Sequence, residues 1–244
     1  MNPFSYELEL FALALALYLY DSSVLLFSNE ALLTAKGTGR WGVELGFSGF
    51  LLGGRGLCIL NPFAPHQAAF RLSWNFARLD LGTEDIRWSQ RADSLRRLRV
   101  TTWLSAAALF AVLPLGLFSP LGAFAVIPAL VLLYGSAIVG LLQFRVVRHE
   151  LGYEGARYAG FIFECLACPP FAANMIRRIT LQQRIPEPLP RAGARLLPAG
   201  EWTRLRSYCE TRLDGELQRL DENSAERVQL DAAKRALRSL SISQ

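Results

Sequence analysis

The chain has 244 residues, of which 52% are hydrophobic and only 19% are charged, and its formal net charge is +5. Soluble proteins carry about 25% charged residues, so the low charged fraction indicates a membrane protein. The basic residues stand beside apolar segments, where membrane topology places them, and no nucleic-acid-binding motif accompanies them. We therefore expect no nucleic-acid partner.

The first region, residues 1–33, is predicted to contain transmembrane helix 1, which spans about residues 8–33. About 20 apolar residues are enough to cross a hydrocarbon core of about 30 Å. The acidic start of the chain, with Glu7 and Glu9, lacks the basic region of a secretory signal, so we expect this segment to be retained.

An ionisable residue, Asp21, lies inside this predicted span. A charged side chain there costs about 2.5–3.5 kcal/mol on insertion scales, so such residues face partners or water. Tyr18 and Ser28 extend a polar stripe along the helix, and Tyr134 and Ser136 of a later span lie at a similar depth. These five residues form a candidate intramembrane polar site. The site either binds an ion, a proton or another subunit, or it is structural, with Asp21 protonated or hydrogen-bonded so that it holds the helix bundle together.

Residues 34–99 are predicted to be a cytoplasmic loop with a small β element and an amphipathic helix. Gly53-Gly54, between two short apolar runs, predicts a hairpin turn, and the alternation over residues 70–76 predicts a strand with one buried face. Residues 83–85 predict a helix start. Residues 37–42 match G-x-G-x-x-G, but the dinucleotide fingerprint needs a preceding strand and a following helix, so no cofactor is predicted.

Residues 100–145 are predicted to form a transmembrane hairpin, with spans over about 100–118 and 121–144 and a tight turn at Ser119-Pro120. Ser136 and Gly140 have the small-residue spacing that lets another helix approach closely. Basic residues flank the inner ends of all three predicted spans, which places the N-terminus outside and the C-terminus in the cytoplasm. These residues are Lys36, Arg40, Arg91, Arg96, Arg97, Arg99, Arg145 and Arg148.

Residues 146–185 are predicted to be a juxtamembrane segment. Its apolar part, 159–176, is expected to lie in the interface or to re-enter the membrane, because Glu164 and Pro169-Pro170 interrupt it. Cys165 and Cys168 have the spacing of a redox pair or of half a metal site. No second cysteine pair accompanies them, so packing is the favoured interpretation and no metal site is predicted.

A second group of titratable residues, His149, Glu150 and Glu154, follows the third predicted span. They would suit an acid–base pair acting on a lipid head group. Pairing of the carboxylates with the neighbouring arginines, or of those arginines with lipid phosphates, is the favoured alternative.

Residues 186–200 are predicted to be a Pro-rich linker and residues 201–244 a cytoplasmic helical tail. Apolar residues recur there at helical spacing, which predicts a helical hairpin or one broken helix. The narrow stripe needs a partner or packing beneath the membrane domain. It consists of Trp202, Leu205, Cys209, Leu213, Leu217 and Leu220, then of Val228, Ala232, Ala236, Leu237 and Leu240.

The sequence thus predicts a mainly α integral membrane protein with about three transmembrane helices, an interfacial or re-entrant segment, a small cytoplasmic β element and a C-terminal helical hairpin. Its Ala-, Leu- and Arg-rich composition fits a bacterial inner membrane. The favoured function is a non-catalytic subunit or accessory protein of an inner-membrane complex that binds partners through its cytoplasmic parts. The alternatives are a small oligomeric channel or ion- or proton-coupled carrier using Asp21, and a membrane enzyme using Cys165 and Cys168. The expected partners are the bilayer and another protein or a second copy.

Overall fold

The structure, a computed structural model, describes residues 4–36, 39–46, 50–74, 88–118, 123–183, 185, 187–221 and 224–240. It is mostly helical, with small sheets, in agreement with the predicted class. The chain forms two compact units. Unit 1 comprises Met1–Val24, Ile59–Ala68 and Trp88–Gln183, and unit 2 comprises Leu25–Cys58, Ala69–Arg87 and Arg184–Gln244.

Unit 1 is helical. Its helices are α1 (Phe4–Asp21), α2 (Trp88–Ser94), α3 (Arg99–Ala107), α4 (Leu113–Phe118), α5 (Ala123–Val147), α6 (Gly155–Ala167), α7 (Pro169–Ala173) and α8 (Met175–Leu181). A 3-10 turn and a π turn join α2, α3 and α4 into one continuous helix, Gln90–Phe118. Among the described residues, two helices are long and apolar enough to cross a membrane, Gln90–Phe118 and Phe124–Val147.

The predicted first span is wrong beyond Asp21. The helix ends there, and the chain continues as strands β1 (Ser23–Leu26) and β2 (Glu30–Ala35). Serine side chains compete for helical carbonyls at helix ends, and Ser23 Oγ donates to Leu19 O at 2.7 Å. Asp21 therefore lies at the end of an apolar helix and not in the middle of a span.

Small residues let α3, α5 and α8 approach closely. Ser136 Oγ lies 2.7 Å from Ser105 Oγ on α3. A Cβ placed on Gly140 would lie 3.2 Å from both Thr101 Oγ1 and Met175 Cε. The Ser136–Gly140 face is thus filled by helices of the same chain.

Gly140→Leu is expected to lower the free energy of unfolding by about 2 kcal/mol, because overpacking a filled contact costs about 1–3 kcal/mol. Gly135→Leu on the same helix is the matched control, since nothing lies within 4 Å of its Cβ position. Thermal unfolding of both variants in one detergent measures the difference. Equal midpoints would contradict the close approach at Gly140.

The segment α6–α8 enters the helix bundle, packs against it and leaves it again at the end where it entered. Near its middle, Ala173 packs with Tyr18, Ala106 and Leu109 in one buried cluster. At its two ends, Arg157 Nη2 donates to Gln182 O at 2.7 Å. The chain therefore enters and leaves the bundle at the same end. The break between α6 and α7 lies at Cys168, directly before the two prolines that were expected to interrupt the segment.

Unit 2 contains most of the sheet structure. Its further strands are β3 (Trp41–Leu45), β4 (Leu51–Leu52), β5 (Arg55–Ile59) and β6 (Ala69–Ser73), and the two sheets have the orders β3-β2-β6 and β1-β5-β4. β2 pairs antiparallel with both neighbours, so that Leu33 lies opposite Val43 and Phe70. The predicted alternation appears in β6, where Phe70 and Leu72 are buried and Arg71 is only half-buried.

Several predicted features fall beside these strands. The last two residues of the glycine-rich pattern at 37–42 already lie in β3, so a strand is present where a cofactor fingerprint needs a helix. Its Gly37 and Thr38 lie outside the described residues, and so do residues 75–76, the predicted helix start at 83–85 and the Ser119-Pro120 turn.

Unit 2 ends in three helices, α9 (Leu189–Leu196), α10 (Ala199–Leu217) and α11 (Ala225–Ser239). The first lies inside the expected linker, because Pro190 occupies its first turn, where proline is tolerated. The stripe on α10 is buried as far as Leu217. On α11 the predicted Leu237 is buried, but the other buried residues are Leu230 and Ala233, and the predicted Val228 is 65% exposed.

Candidate functional site

Polar side chains from three segments of unit 1 meet at the end of α1. Asp21 accepts a hydrogen bond and an ion pair from Arg178 Nη1, and Arg178 Nη2 binds Glu164 in the same way. The side chains of Asp21 and Arg178 are only 8% and 13% exposed. An ion pair removed from water persists when the charges compensate each other. Asp21 is therefore compensated within the chain, by an arginine 157 residues away.

The neighbouring Arg177 is 1% exposed and binds oxygens of a different kind. Its Nη2 donates to the main-chain carbonyls of Ala64, at 2.8 Å, and of Asn61. Its Nη1 donates to Ser22 Oγ at 3.3 Å and to Asn174 Oδ1 at 3.5 Å. Buried polar groups need such partners, so Arg177 and the loop 60–68 fix each other.

The end of α1 fixes the same loop from the other side. Tyr18 Oη donates to Pro62 O at 2.5 Å, and Leu60 N donates to Ser22 O at 3.0 Å. Asn174 Nδ2 donates to Tyr18 O at 3.2 Å and to Ser22 Oγ at 3.0 Å. The cluster is thus a joint between α1, the loop and the start of α8.

The loop also carries His66, whose ring stacks on Trp103 at a centroid distance of 5.3 Å. Burial, with the nearby charges of Arg99 and Arg177, lowers the pKa of His66. The imidazole is therefore neutral at pH 7. A neutral, stacked ring serves here as a packing element of the loop.

Two of the five predicted polar-site residues, Tyr18 and Asp21, lie in this cluster. Ser28 belongs to unit 2, where its carbonyl accepts a hydrogen bond from Tyr208 Oη at 3.2 Å. Tyr134 is exposed on α5, and Ser136 bonds Ser105. The structure therefore does not bring these three residues to Asp21, and the residues that sequence reasoning missed are Arg178, Arg177 and Asn174.

The cysteine pair lies beside the cluster, with Cys165 buried in α6 and Cys168 half-buried at its end. Burial raises the pKa of Cys165 to about 12 and also raises the pKa of Cys168. The reactive form of cysteine is the thiolate, so this environment disfavours redox chemistry.

N-Ethylmaleimide is expected to leave Cys165 unmodified in the native protein and to modify it after denaturation, because the thiol is buried and protonated. Its labelling stays slow from pH 7 to pH 9, since the pKa of about 12 lies well above this range. Mass spectrometry of peptides measures the modification, with the same cysteine peptide from the denatured protein as reference. Rapid labelling of native Cys165 at pH 7 would contradict this environment.

The second predicted titratable group is exposed. His149 Nδ1 lies 3.2 Å from Glu154 Oε1, with the two side chains 61% and 72% exposed. An exposed pair of this kind contributes little energy. Within the described part of the chain, no group of three or more His, Cys, Asp or Glu residues could hold a metal ion.

No protein-family model, no curated protein and no solved structure matches this chain. A function for the cluster therefore depends on its own geometry. The two sets of hydrogen bonds, one around Arg178 and one around Arg177, each link segments that are distant in the sequence and are suited to joining them.

Proposed function

We propose that the protein is a non-catalytic integral membrane subunit of the bacterial inner membrane, in which unit 1 is embedded and unit 2 binds a partner protein in the cytoplasm. One observation carries the proposal. Three buried charged groups of the apolar unit have partners inside the chain, since Asp21 and Arg178 form an ion pair and Arg177 donates to main-chain carbonyls. Large apolar side chains nevertheless remain exposed along the helices of this unit. Such a unit is suited to a lipid environment, and a protein with this unit is suited to binding other proteins.

The exposed side chains of α5 support the membrane environment. Phe124, Val131 and Val146 lie along nearly the whole helix, and each is exposed. At 1.5 Å per residue, the 24-residue apolar helix Phe124–Val147 is about 36 Å long, enough to cross a core of about 30 Å. A helix of a soluble protein would turn such a face inward.

The packing of α1 supports its assignment as a third transmembrane helix. Its 18 residues give a length of about 27 Å. Phe11 lies against Phe118 and Tyr18 against Phe110, with ring centroids 6.0 Å and 4.6 Å apart, so α1 runs antiparallel to Gln90–Phe118. Arginines flank the start of the latter helix, so the positive-inside rule gives an outer N-terminus and an inner C-terminus.

With this orientation α6–α8 is a re-entrant segment from the cytoplasmic side. Irregular backbone at membrane depth is tolerated where protein buries it. Asn174 and Arg177 bind the end of α1 and the loop 60–68. The cluster is then the joint that holds the short helix α1 against the re-entrant segment.

The two alternative functions have less support. A carrier would need an Asp21 carboxylate that is free to take up a cation, and Arg178 holds it. An oligomeric channel built on the Ser136–Gly140 face would need that face to be open, and Thr101 and Met175 fill it. A redox enzyme would need an accessible thiolate, and Cys165 is buried.

The outer face of α11 is the part of unit 2 that we assign to partner binding. Val228 and Ala232 lie one turn apart, and both are exposed, whereas Leu230, Ala233 and Leu237 face the unit. The exposure of Val228 and Ala232 leaves both side chains available for a contact with another protein.

Extraction of the full chain from its own membranes in mild detergent, followed by cross-linking and mass spectrometry, tests the proposal. We expect a stoichiometric protein whose cross-links fall on α11 and which is lost from Val228→Glu. Gln229→Glu adds the same charge at the next exposed position and should retain the partner. A chain that purifies alone, or a partner equally retained by both variants, would overturn the assignment.

A further inference from the structure

We propose that the β4–β5 hairpin of unit 2 inserts its tip into the headgroup–acyl boundary of an anionic bilayer. The inference rests on the proposed membrane location of unit 1. It identifies a second, shallow lipid contact that is separate from the transmembrane helices.

The tip exposes an unusual amount of apolar surface. Phe50, Leu51 and Leu52 are consecutive and 69%, 51% and 53% exposed. Runs of three exposed apolar residues are avoided in soluble surfaces unless they have a function. A contact that removes all three from water at once accounts for them.

The hairpin holds this tip rigidly without packing its side chains. Gly53 and Gly54 have φ values of 57° and 76°, as a tight two-residue hairpin turn requires. Leu57 N donates to Phe50 O at 2.8 Å. At the base, a Cβ on Gly56 would overlap the carbonyl of Gly46, so the two backbones are in direct contact. A preorganised tip loses little conformational entropy on insertion.

The charge of the segment favours lipid over protein as the binding partner of the hairpin tip. Residues 46–63 contain no acidic residue and a single cation, Arg55. Arg55 directly follows the turn, and its guanidinium lies 4.2 Å from the centre of the Phe27 ring. An apolar tip with one adjacent cation and no acidic group complements an acyl boundary beneath anionic phosphates. A specific protein contact would require more hydrogen-bonding side chains than these residues offer.

The position of the hairpin in the chain brings it near the bilayer. The segment that carries it begins after α1 and ends before Gln90–Phe118, two helices of the embedded unit. Both ends of the segment are therefore tethered to the membrane surface, which raises the effective concentration of lipid at the tip.

Depth-dependent quenching on the purified full chain tests the inference. A fluorescent amino acid replaces Leu51 in vesicles of phosphatidylcholine with phosphatidylglycerol, with doxyl-labelled lipid as membrane quencher and iodide as aqueous quencher. The same fluorescent amino acid in place of Val131 on α5 reports whether unit 1 is embedded in the bilayer. In place of Val228, which is also apolar and exposed, it reports the aqueous surface of unit 2. We expect Leu51 to be quenched by doxyl lipid and protected from iodide, unlike Val228.

Removing the cation adds a second measurement. Arg55→Ala should lower the insertion equilibrium of the tip by about fivefold in anionic vesicles, since one basic residue at such a surface is worth about 1 kcal/mol. It should leave the signal of Val131 unchanged. The same substitution should have no effect in pure phosphatidylcholine.

Each outcome separates the two proposals. The hairpin contact is overturned if iodide quenches position 51 as strongly as position 228 while doxyl lipid still quenches position 131. That result leaves the membrane location of unit 1 intact. Absence of doxyl quenching at Val131 overturns the membrane location itself. A photo-cross-linker at Leu51 that captures protein and no lipid in native membranes also overturns the lipid contact.

Discussion

Replacing Arg177 with methionine is expected to lower the free energy of unfolding by about 3 kcal/mol. Methionine keeps an unbranched apolar stem and removes every donor, which leaves the carbonyls of Asn61 and Ala64 without their guanidinium. Both carbonyls keep a main-chain donor, Ala64 N for Asn61 O and Gln67 N for Ala64 O, so the loss is that of two hydrogen bonds from a charged group, each worth about 1.5–3 kcal/mol. Denaturant unfolding in a single detergent measures the loss. Faster proteolysis within residues 60–68 should accompany it, because the loop loses its main support.

A matched control separates the effect of losing a buried arginine from the effect of losing any arginine. Arg219 binds Glu216 at 3.3 Å, but its side chain is 76% exposed. Exposed pairs contribute about 0–1 kcal/mol, so Arg219→Met should change stability little. If the two variants unfolded alike, Arg177 would not be holding the loop, and the joint between α1, the loop and α8 would lose its main evidence.

Hydropathy alone was enough to predict the long helices and not enough to end the first one. Phe124–Val147 and the part of Gln90–Phe118 that follows Arg99 are long apolar runs, so their type and position follow from composition. The apolar run after α1 continues into β1 and β2, and a buried strand has the same composition as a piece of a span. The signals for strands were the polar breaks at Ser22-Ser23 and Ser28-Asn29, where the chain turns.

Local patterns predicted local structure in unit 2. Two adjacent glycines between apolar runs lie in the β4–β5 turn, and the alternation around Phe70 lies in β6. The buried face of α11 was predicted correctly at Leu237 and wrongly at Val228 and Ala232, because alanines on several sides make a stripe through Leu230 and Ala233 equally good. Only packing against α10 selects between them.

The candidate site depends on contacts between distant parts of the sequence. The need of Asp21 for a partner follows from its apolar surroundings, but the sequence places Arg178 157 residues later, after two prolines. Glu164, Arg177 and Arg178 in a segment that does not span were the available sign that polar groups gather there.

Replacing Arg178 with methionine is expected to destabilise the protein by about 4 kcal/mol, since removing one partner of a buried pair costs about 3–5 kcal/mol. Asp21, with its side chain only 8% exposed, would be left as an uncompensated charge. Asp21→Leu alone should cost less, because Arg178 keeps Glu164, which is 46% exposed and can also be hydrated.

The double variant, Arg178→Met with Asp21→Leu, is the decisive measurement. Replacing both members of a buried pair by apolar residues is often neutral or stabilising, so it should recover most of the stability lost in Arg178→Met. Such recovery would show that Asp21 and Arg178 act on each other and that the bundle tolerates their joint loss. A partner-binding subunit should then still retain its partner, whereas a carrier built on Asp21 would lose transport. A double variant as unstable as Arg178→Met would mean that Arg178 supports the fold through Glu164 and not through Asp21.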